Sequence, residues 1–161
     1  MSLEAKPDGR IRSLVDLCFR NDNAVADHSQ IPNQPIILHA VAKGNYRSKI
    51  DLSDAYFQTR VHPDDVKYNT MKTPLGGFAS QVMMQGEMNA PAIFVRMMED
   101  LFHDELGKFI WIYIDDIFIF RNSFEEHIEH VQHTCRRLKE HKFHANPKKS
   151  VFFAAKLDIL G

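Results

Sequence analysis

The stretch FIWIYIDDIFIF, residues 109–120, decides the fold and raises the question of function. Isoleucine, phenylalanine, tyrosine and tryptophan are typical of β-strands. Two adjacent aspartates, Asp115 and Asp116, interrupt this apolar run, although burying an unpaired carboxylate costs several kcal/mol. The pattern predicts one strand that enters a tight turn and a second strand that leaves it. Both carboxylates should then lie at the edge of a sheet, where they can face solvent or a metal.

On the motif alone, the acidic pair has two interpretations. Aspartate favours turns, so the pair can be a plain structural turn. However, the flanks are strongly apolar, the turn has neither Gly nor Asn to adopt a positive φ, and the predicted strand 46–52 also ends in an acid, Asp51. Three carboxylates brought together would repel one another, and a divalent cation would remove that repulsion. Two such ions serve phosphoryl transfer, but the sequence alone does not bring Asp51 beside Asp115.

Composition limits the class of protein. The chain has 161 residues, 44% of them hydrophobic, and a net charge of −1, which suits one domain and argues neither for nor against nucleic acid binding. Cys18 and Cys135 lack a metal-type spacing, which favours reduced thiols. Because we find no transmembrane run and no signal peptide, we expect an intracellular location, in a cytoplasmic particle or the nucleus, without membrane contact.

The remaining elements follow from periodicity and from capping residues. The predicted strands are 11–17, 46–52, 57–61 and 67–71, with a hairpin over 73–84 that turns at Gly76-Gly77. Residues 20–35 should be a loop, and the predicted helices are a short one that follows Pro35 and ends at Gly44, then 89–106 and 123–140. Alternating strands and helices predict an α+β fold, with helices packed on one face of an antiparallel sheet.

The two long helices each have an apolar stripe. In 89–106 this Met and Phe stripe consists of Ile93, Phe94, Met97, Met98, Leu101 and Phe102. In 123–140 it consists of Ile128, Val131, Cys135 and Leu138. Three histidines on the second helix, at positions 127, 130 and 133, could hold zinc, but their spacing favours a solvated helix face. The basic residues of the last third could contact nucleic acid phosphates or simply face solvent.

Tyr113-Ile114-Asp115-Asp116 resembles the Tyr-x-Asp-Asp box of reverse transcriptases, and the stretch around it resembles the palm of gypsy-type LTR retrotransposons. Four further blocks occur in matching order: IRSLVDL, SKIDLSDAYFQTRV, QGEMNAPAIF and HKFHANPKKSVFF. The resemblance covers roughly residues 6–161. It implies a polymerase palm, with a ferredoxin-like antiparallel sheet that has helices on one face, together with partial fingers.

The resemblance also implies a domain division. Residues 1–50 would be partial fingers, with the first palm strand from about 46, and residues 51–161 would be palm, with a fingers insertion at about 60–84. The thumb, connection and ribonuclease H domains are expected to be absent. Cys18 and Met84 stand where the family pattern has an arginine and a proline.

The implied function is template-directed DNA synthesis, by nucleotidyl transfer to a primer 3′-hydroxyl through a two-metal mechanism with Mg²⁺ or Mn²⁺. The implied partners are an RNA or DNA template with its primer and a dNTP. The oligomeric state is left open, a dimer included. The alternative is an inactive or domesticated reverse-transcriptase-like domain that serves as a structural or interaction module.

The resemblance implies particular site residues. The three catalytic, metal-binding carboxylates would be Asp51, Asp115 and Asp116, and the backbone carbonyl of Leu52 would also face a metal. In the nucleotide pocket, Tyr56 beside Ala55 would lie under the incoming sugar, where its ring leaves no room for a ribose 2′-hydroxyl. The remaining implied nucleotide contacts are Gln85 to the sugar or base, and Lys6 and Arg12 to the triphosphate.

Overall fold

The computed structural model describes residues 2–5, 9, 11–28 and 33–157, without the side chains of 2–5 and 11–14. The chain passes twice through each of two compact units. The first unit comprises Met1–His28 and Asp54–Pro91, and the second comprises Ser29–Ser53 and Ala92–Gly161. Each unit has its own strands.

The chain contains both helices and antiparallel strands, as an α+β protein does. The strands are β1 (Ser2–Ala5), β2 (Ile11–Leu14), β3 (Tyr46–Asp51), β4 (Thr70–Thr73), β5 (Gly76–Ala79), β6 (Ile110–Tyr113), β7 (Asp116–Arg121) and β8 (Val151–Ala154). The helices are α1 (Cys18–Asp22), α2 (Gln34–Ala42), α3 (Ala90–Leu101) and α4 (Phe124–Glu140), with short 3₁₀ helices at Ala55–Gln58 and Pro63–Tyr68.

The second unit is built on one antiparallel sheet with the strand order β6-β7-β3-β8. β6 and β7 form the hairpin that the stretch 109–120 predicts. Side chains alternate between the faces of a strand, so the buried residues Ser48, Ile50, Ile117 and Ile119 share one face. The other face carries Lys49, Asp51, Asp116 and Phe118, because these residues occupy the intervening positions of β3 and β7.

Helix α4 packs on the first of these faces and confirms the predicted helix almost residue for residue. Ser123 is its N-cap, and its hydroxyl accepts from the Glu126 amide at 3.4 Å. The buried side chains are His127, Val131, Thr134 and Leu138. Cys135, expected in the apolar stripe, is exposed. The buried face is rotated by one residue from the predicted one because His127 and Thr134, both polar, turn inward.

The predicted solvated histidine face on α4 is wrong. His127 is fully buried, and its Nε2 lies 2.8 Å from the Ser48 hydroxyl. The His130 ring stacks on Phe109 with a centroid separation of 3.8 Å. His133 pairs with Glu105 at 2.7 Å. These side chains therefore attach α4 to the sheet and to the chain after α3.

Helix α2 packs on the opposite face of the sheet and adds a layer that the sequence interpretation did not include. Ile37 and Val41 form a fully buried cluster with Phe118. Just beyond the helix, a Cβ on Gly44 would lie only 3.0 Å from the Arg121 backbone nitrogen. Glycine is therefore required there, because α2 leads into β3 at close range to β7.

Helix α3 forms within the predicted range 89–106 but ends at Leu101. Phe94, Met98 and Phe102 are fully buried, so its Met and Phe stripe belongs to the core as expected. Among the described residues, no helix is both long and apolar enough to cross a membrane.

The first unit contains the antiparallel pair β1–β2 and the hairpin β4–β5. The hairpin turns at Pro74 and Leu75, since Thr73 pairs with Gly76, and not at the predicted Gly76-Gly77. The predicted strand 57–61 is wrong, because Ala55–Gln58 is a 3₁₀ helix. The predicted loop 20–35 is only partly a loop, because it contains the end of α1 and the start of α2. Arg20 in α1 pairs with Glu87 at 3.2 Å. Residues 29–32 lie outside the described part of the chain.

We expect Phe118→Ala to lower the free energy of unfolding by about 3–5 kcal/mol, because the side chain is fully buried between α2 and the sheet. Urea denaturation measures this change. Phe152→Ala is the control, since Phe152 on β8 is 41% exposed and its removal should cost about 1 kcal/mol or less. Equal losses in the two variants would contradict the assigned core.

We expect the stability of the protein to fall as the pH drops below about 6.5, and His127 to contribute to that fall. Burial, with a smaller effect from His130, lowers the pKa of His127 in the folded protein. The unfolded chain therefore takes up a proton near pH 6.5 that the folded chain does not accept, so acid favours unfolding. The Ser48 hydroxyl and the rings of Tyr46 and Phe153 also face His127, and none of these carries a charge.

Urea titrations of the wild type and His127→Gln between pH 7.5 and 5.5 test this. The variant keeps His130, so the difference between the two proteins isolates position 127. The stability advantage of the wild type should shrink as the pH falls. A difference that stays constant across the range would contradict the prediction.

Candidate functional site

The turn between β6 and β7 contains only two residues, Ile114 and Asp115, since Tyr113 pairs directly with Asp116. Ile114 has a φ of 53°, which a β-branched residue rarely adopts and which costs about 1–3 kcal/mol. The turn therefore adopts a positive φ without Gly or Asn, and the expectation that it would need one of them is wrong. Tyr113 is anchored because its hydroxyl accepts from the Gln34 side chain on α2.

Strand register brings two of the three candidate carboxylates together. Asp51, the last residue of β3, lies directly opposite Asp116, the first residue of β7. Directly opposed residues of an antiparallel pair have Cβ atoms about 4.5–5.5 Å apart and project from the same face. Asp115 is exposed at the tip of the turn beside them. The three acids therefore occupy one end of the sheet.

Leu52 connects this strand end to the turn. Its amide donates to the backbone oxygen of Asp115 at 3.4 Å. This hydrogen bond places the Leu52 backbone next to the acidic turn. Leu52 itself is 2% exposed, and its buried side chain fixes this part of the backbone.

The loop before β8 holds Asp51 from the other side. The Asn146 amide donates to the Asp51 carbonyl at 2.8 Å, and the Asp51 amide donates to the Ser150 hydroxyl at 3.2 Å. The Ser53 amide also donates to the His144 carbonyl at 2.9 Å. The backbone of residues 51–53 is therefore hydrogen-bonded to the acidic turn on one side and to the loop before β8 on the other.

Two lysines lie against the acidic pair. The Lys49 ammonium is 2.5 Å from Asp116 Oδ2, and the Lys149 ammonium is 3.9 Å from Asp51 Oδ2. Both aspartate side chains are only 16% exposed, whereas Lys149 is 62% exposed. The lysines therefore offset part of a negative charge that is mostly withdrawn from water.

Both aspartates of the pair are harder to ionise than an ordinary aspartate. Burial raises the pKa of Asp51, with further increases from Asp116 and Asp115, while Lys149 and Lys49 lower it. Burial also raises the pKa of Asp116, against the lowering effect of its hydrogen bond to Lys49. The folded protein therefore keeps two carboxylates where their charge is unfavourable, which is typical of functional sites.

The other candidate residues that the structure describes are Ala55, Tyr56 and Gln85. Ala55 is buried at the start of the first 3₁₀ helix, and the neighbouring Tyr56 is half-buried. Gln85, also half-buried, follows the buried pair Met83 and Met84. These residues belong to the first unit. Lys6 and the side chain of Arg12 lie outside the described part of the chain.

Within residues 11–28 and 33–157, no three His, Cys, Asp or Glu side chains converge as a ready metal-binding group. The histidines of α4 thus form no zinc site there. The acidic end of the sheet is instead a facing pair of carboxylates with a third acid on the adjacent turn, and lysines contact the pair.

Sequence reasoning did not assign Lys49 and Lys149 to this site. The period of two in a strand could have indicated Lys49, because it precedes Asp51 by two positions on β3 and must share its face. For Lys149 no local pattern exists, since it reaches Asp51 through pairing of distant segments.

A profile of the family described as reverse transcriptase (RNA-dependent DNA polymerase) matches residues 6–161. The chain belongs to the reverse transcriptase family. This finding agrees with a Tyr-x-Asp-Asp sequence located at a hairpin turn opposite a further aspartate.

Two relatives of this reverse transcriptase chain come from Drosophila melanogaster transposons. The retrovirus-related Pol polyprotein of opus is 28% identical over 158 residues, which cover 97% of this chain and 16% of the polyprotein. The Pol polyprotein of gypsy is 25% identical over 150 residues, which cover 93% of this chain and 14% of that polyprotein. The predicted gypsy-type reverse transcriptase is confirmed, and the chain spans a small part of the length of these relatives.

A solved structure extends the likeness to three dimensions. The foamy viral protease–reverse transcriptase dRH in complex with double-stranded DNA matches with a TM-score of 0.89 and 25% identity. The match covers 99% of this reverse transcriptase chain and 28% of the foamy viral chain. The predicted α+β palm fold is confirmed by this likeness.

We expect Asp51→Asn to raise the thermal midpoint of unfolding at pH 7 and low ionic strength without added divalent ions. The substitution removes a carboxylate whose charge is disfavoured by burial and by two neighbouring acids. Differential scanning calorimetry measures the midpoint. Asp104→Asn, a change at an exposed acid of the same unit, should leave it nearly unchanged. A lower midpoint for Asp51→Asn would mean that the two lysines outweigh the repulsion.

Proposed function

We propose that this protein carries out template-directed DNA synthesis, by transferring a nucleotidyl group from a dNTP to a primer 3′-hydroxyl. The observation that carries the proposal is the register of β3 and β7, which sets Asp51 opposite Asp116 beside the Asp115 turn. Membership of the reverse transcriptase family supports it. The reaction would follow a two-metal mechanism with Mg²⁺ or Mn²⁺.

The chemistry of the donor set fits a hard divalent cation. Mg²⁺ and Mn²⁺ prefer carboxylate, carbonyl and phosphate oxygens, and Mg²⁺ is commonly bound by one or two carboxylates plus substrate phosphates. Asp51 and Asp116 supply facing carboxylates with disfavoured charge, and a cation would relieve that repulsion. Asp115, exposed at the turn, can supply a third carboxylate.

In this proposal Asp51 and Asp115 would hold the metal ions, the Leu52 carbonyl would also face a metal, and Asp116 would tune the site. When bound, the ions would activate the primer hydroxyl and stabilise the charge on the leaving pyrophosphate. The protein side chains have the separate task of orientation. The two-residue turn at Ile114 and the hydrogen bonds around Asp51 would hold the acids in register before substrates arrive.

Lys149 would act on the substrate side of the site. Its side chain is mostly exposed, and its ammonium remains within 3.9 Å of Asp51. An exposed cation beside a metal-binding carboxylate can attract and orient a polyanionic triphosphate. The lysine would therefore help to bring the phosphates to the acids without being a metal ligand.

The nucleotide pocket is assigned by resemblance. Tyr56 with Ala55 would select a deoxyribose sugar, and Gln85 would contact the sugar or base. Arg12 and Lys6 would bind the triphosphate. Arg12 and Lys6 fall within residues 1–50, which together with the insertion at about 60–84 we assign to the fingers, with the first palm strand from about 46. Tyr56, Ala55 and Gln85 fall in the rest of 51–161, which would be palm.

A template paired with its primer is the proposed macromolecular partner. The foamy viral relative was solved in complex with double-stranded DNA. The net charge of −1 offers no general attraction for nucleic acid, so local cations such as Lys149 must provide it. An RNA template and a location in a cytoplasmic particle or the nucleus stay predictions.

We expect Asp115→Asn to reduce primer extension by a factor on the order of 100 or more, when the chain is tested within a full-length reverse transcriptase. The loss follows from removing a charged group that would stabilise the transition state. Incorporation of labelled dNTP on a primed RNA or DNA template measures it. Asp104→Asn, outside the proposed site, is the matched control and should retain activity.

Extension that survives Asp115→Asn unchanged would contradict the proposed site. If the unsubstituted protein shows no metal-dependent extension, the inactive or domesticated module would replace the enzyme as the better hypothesis. The retention of Asp51, Asp115 and Asp116 favours the enzyme.

A further inference from the structure

Lys49 is the most constrained cation of the acidic site. It lies on β3 two positions before Asp51 and therefore projects from the same face of the sheet. Its ammonium is 2.5 Å from Asp116 Oδ2 and 5.8 Å from the centroid of the Phe118 ring. The Lys49 side chain is 20% exposed, compared with 62% for Lys149.

The surroundings of Lys49 limit its movement. Phe118, directly opposite Lys49 in the register, is fully buried in the cluster with Ile37 and Val41. The aliphatic part of the lysine therefore runs along an apolar surface, which leaves the ammonium directed to the strand end. An exposed ion pair contributes little to stability, whereas a mostly buried ion pair strongly affects the charged groups that it contacts.

The ion pair has two effects on the acids. It engages one oxygen of Asp116, so that the carboxylate cannot rotate freely. It also adds a positive charge close to the place where a divalent cation would bind. The electrostatic energy between a monovalent and a divalent cation a few ångströms apart is unfavourable even in a watery environment, and more so where side chains are buried.

Resting on the proposed function, we propose that Lys49 is a positioning residue that holds the Asp116 carboxylate and weakens divalent-cation binding until a nucleotide is present. A dNTP brings a polyanionic triphosphate, and its negative charge offsets the ammonium. Metal and nucleotide would then bind with positive coupling, because each makes the site more favourable for the other. The acids alone would remain weakly occupied.

A purely structural role for Lys49 predicts a different result. If the ion pair only stabilises the sheet, removing the lysine should destabilise the protein and leave its cation affinity unchanged or weaker. If the ammonium opposes cation binding, the same removal should increase the affinity. The sign of the change therefore separates the two roles.

The test is Mn²⁺ binding to the 161-residue chain without nucleotide, followed by the electron paramagnetic resonance signal of free Mn²⁺. Lys49→Met keeps the length of the side chain and removes its charge. We expect it to bind Mn²⁺ more tightly than the wild type by a factor on the order of ten. Adding a dNTP should then tighten Mn²⁺ binding less in Lys49→Met than in the wild type.

Three further variants complete the comparison. Lys49→Arg retains the charge and should bind Mn²⁺ with wild-type affinity. Lys108→Met removes an exposed lysine of the same unit and should also bind as the wild type does. Asp51→Asn should lose saturable Mn²⁺ binding, which identifies the acidic pair as the site being measured.

The outcomes distinguish this inference from the proposed function. A wild-type chain that binds no Mn²⁺ even with dNTP would overturn the proposed function. Binding by the wild type with unchanged or weaker affinity in Lys49→Met would overturn only the role of Lys49. If Lys49→Met unfolds too readily for titration, its thermal midpoint is measured with and without Mn²⁺. We expect a larger upward shift than in the wild type, and an equal shift would overturn the role of Lys49.

Discussion

The antiparallel pairing of β3 with β7 is the constraint on which the site depends. A slip of one residue would move Asp51 to the opposite face of the sheet and separate it from Asp116. Burial prevents the slip, because Ile50 and Ile117 are fully buried on the face that α4 covers. The two acids are thus positioned by the packing of Ile50 and Ile117, the apolar residues next to them in sequence.

The cluster of acids at the end of the sheet is unfavourable for stability, and the rest of the second unit must offset this effect. Burial disfavours the ionised forms of Asp51 and Asp116, and repulsion from neighbouring acids adds to it. Lys49 and Lys149 act in the opposite direction but do not cancel these effects, since the pKa of each acid remains raised. Apolar packing on both faces of the sheet, including the cluster around Phe118, supplies stability that the strand ends do not. Such a division between a stable core and a strained site is usual for enzymes.

Local patterns predicted the hairpin of 109–120, α4 with its Ser123 cap, and the two candidate strand ends, because each depends on residues close in sequence. Features set by distant segments escaped prediction. Local spacing predicts a solvent-exposed His127, since its buried partner, Ser48, lies 79 positions away and leaves no local signal. The segment 57–61 has strand-forming residues, yet Ala55–Gln58 is a 3₁₀ helix, since context overrides β-propensity. The resemblance to reverse transcriptases names Asp51 and Asp116 as site residues, but only the pairing of β3 with β7 shows that they face each other.

The positive φ of Ile114 shows how the turn can be both strained and useful. Glycine would adopt this conformation at no steric cost. However, it would leave the turn more conformational freedom in both the unfolded and the folded chain. Isoleucine restricts the turn, and the hydrogen bond from the Leu52 amide to the Asp115 backbone oxygen ties it to β3. The Gln34 contact to Tyr113 restrains its other side. These contacts restrain the Asp115 carboxylate relative to the facing pair, as the proposed catalysis by positioned charges would require.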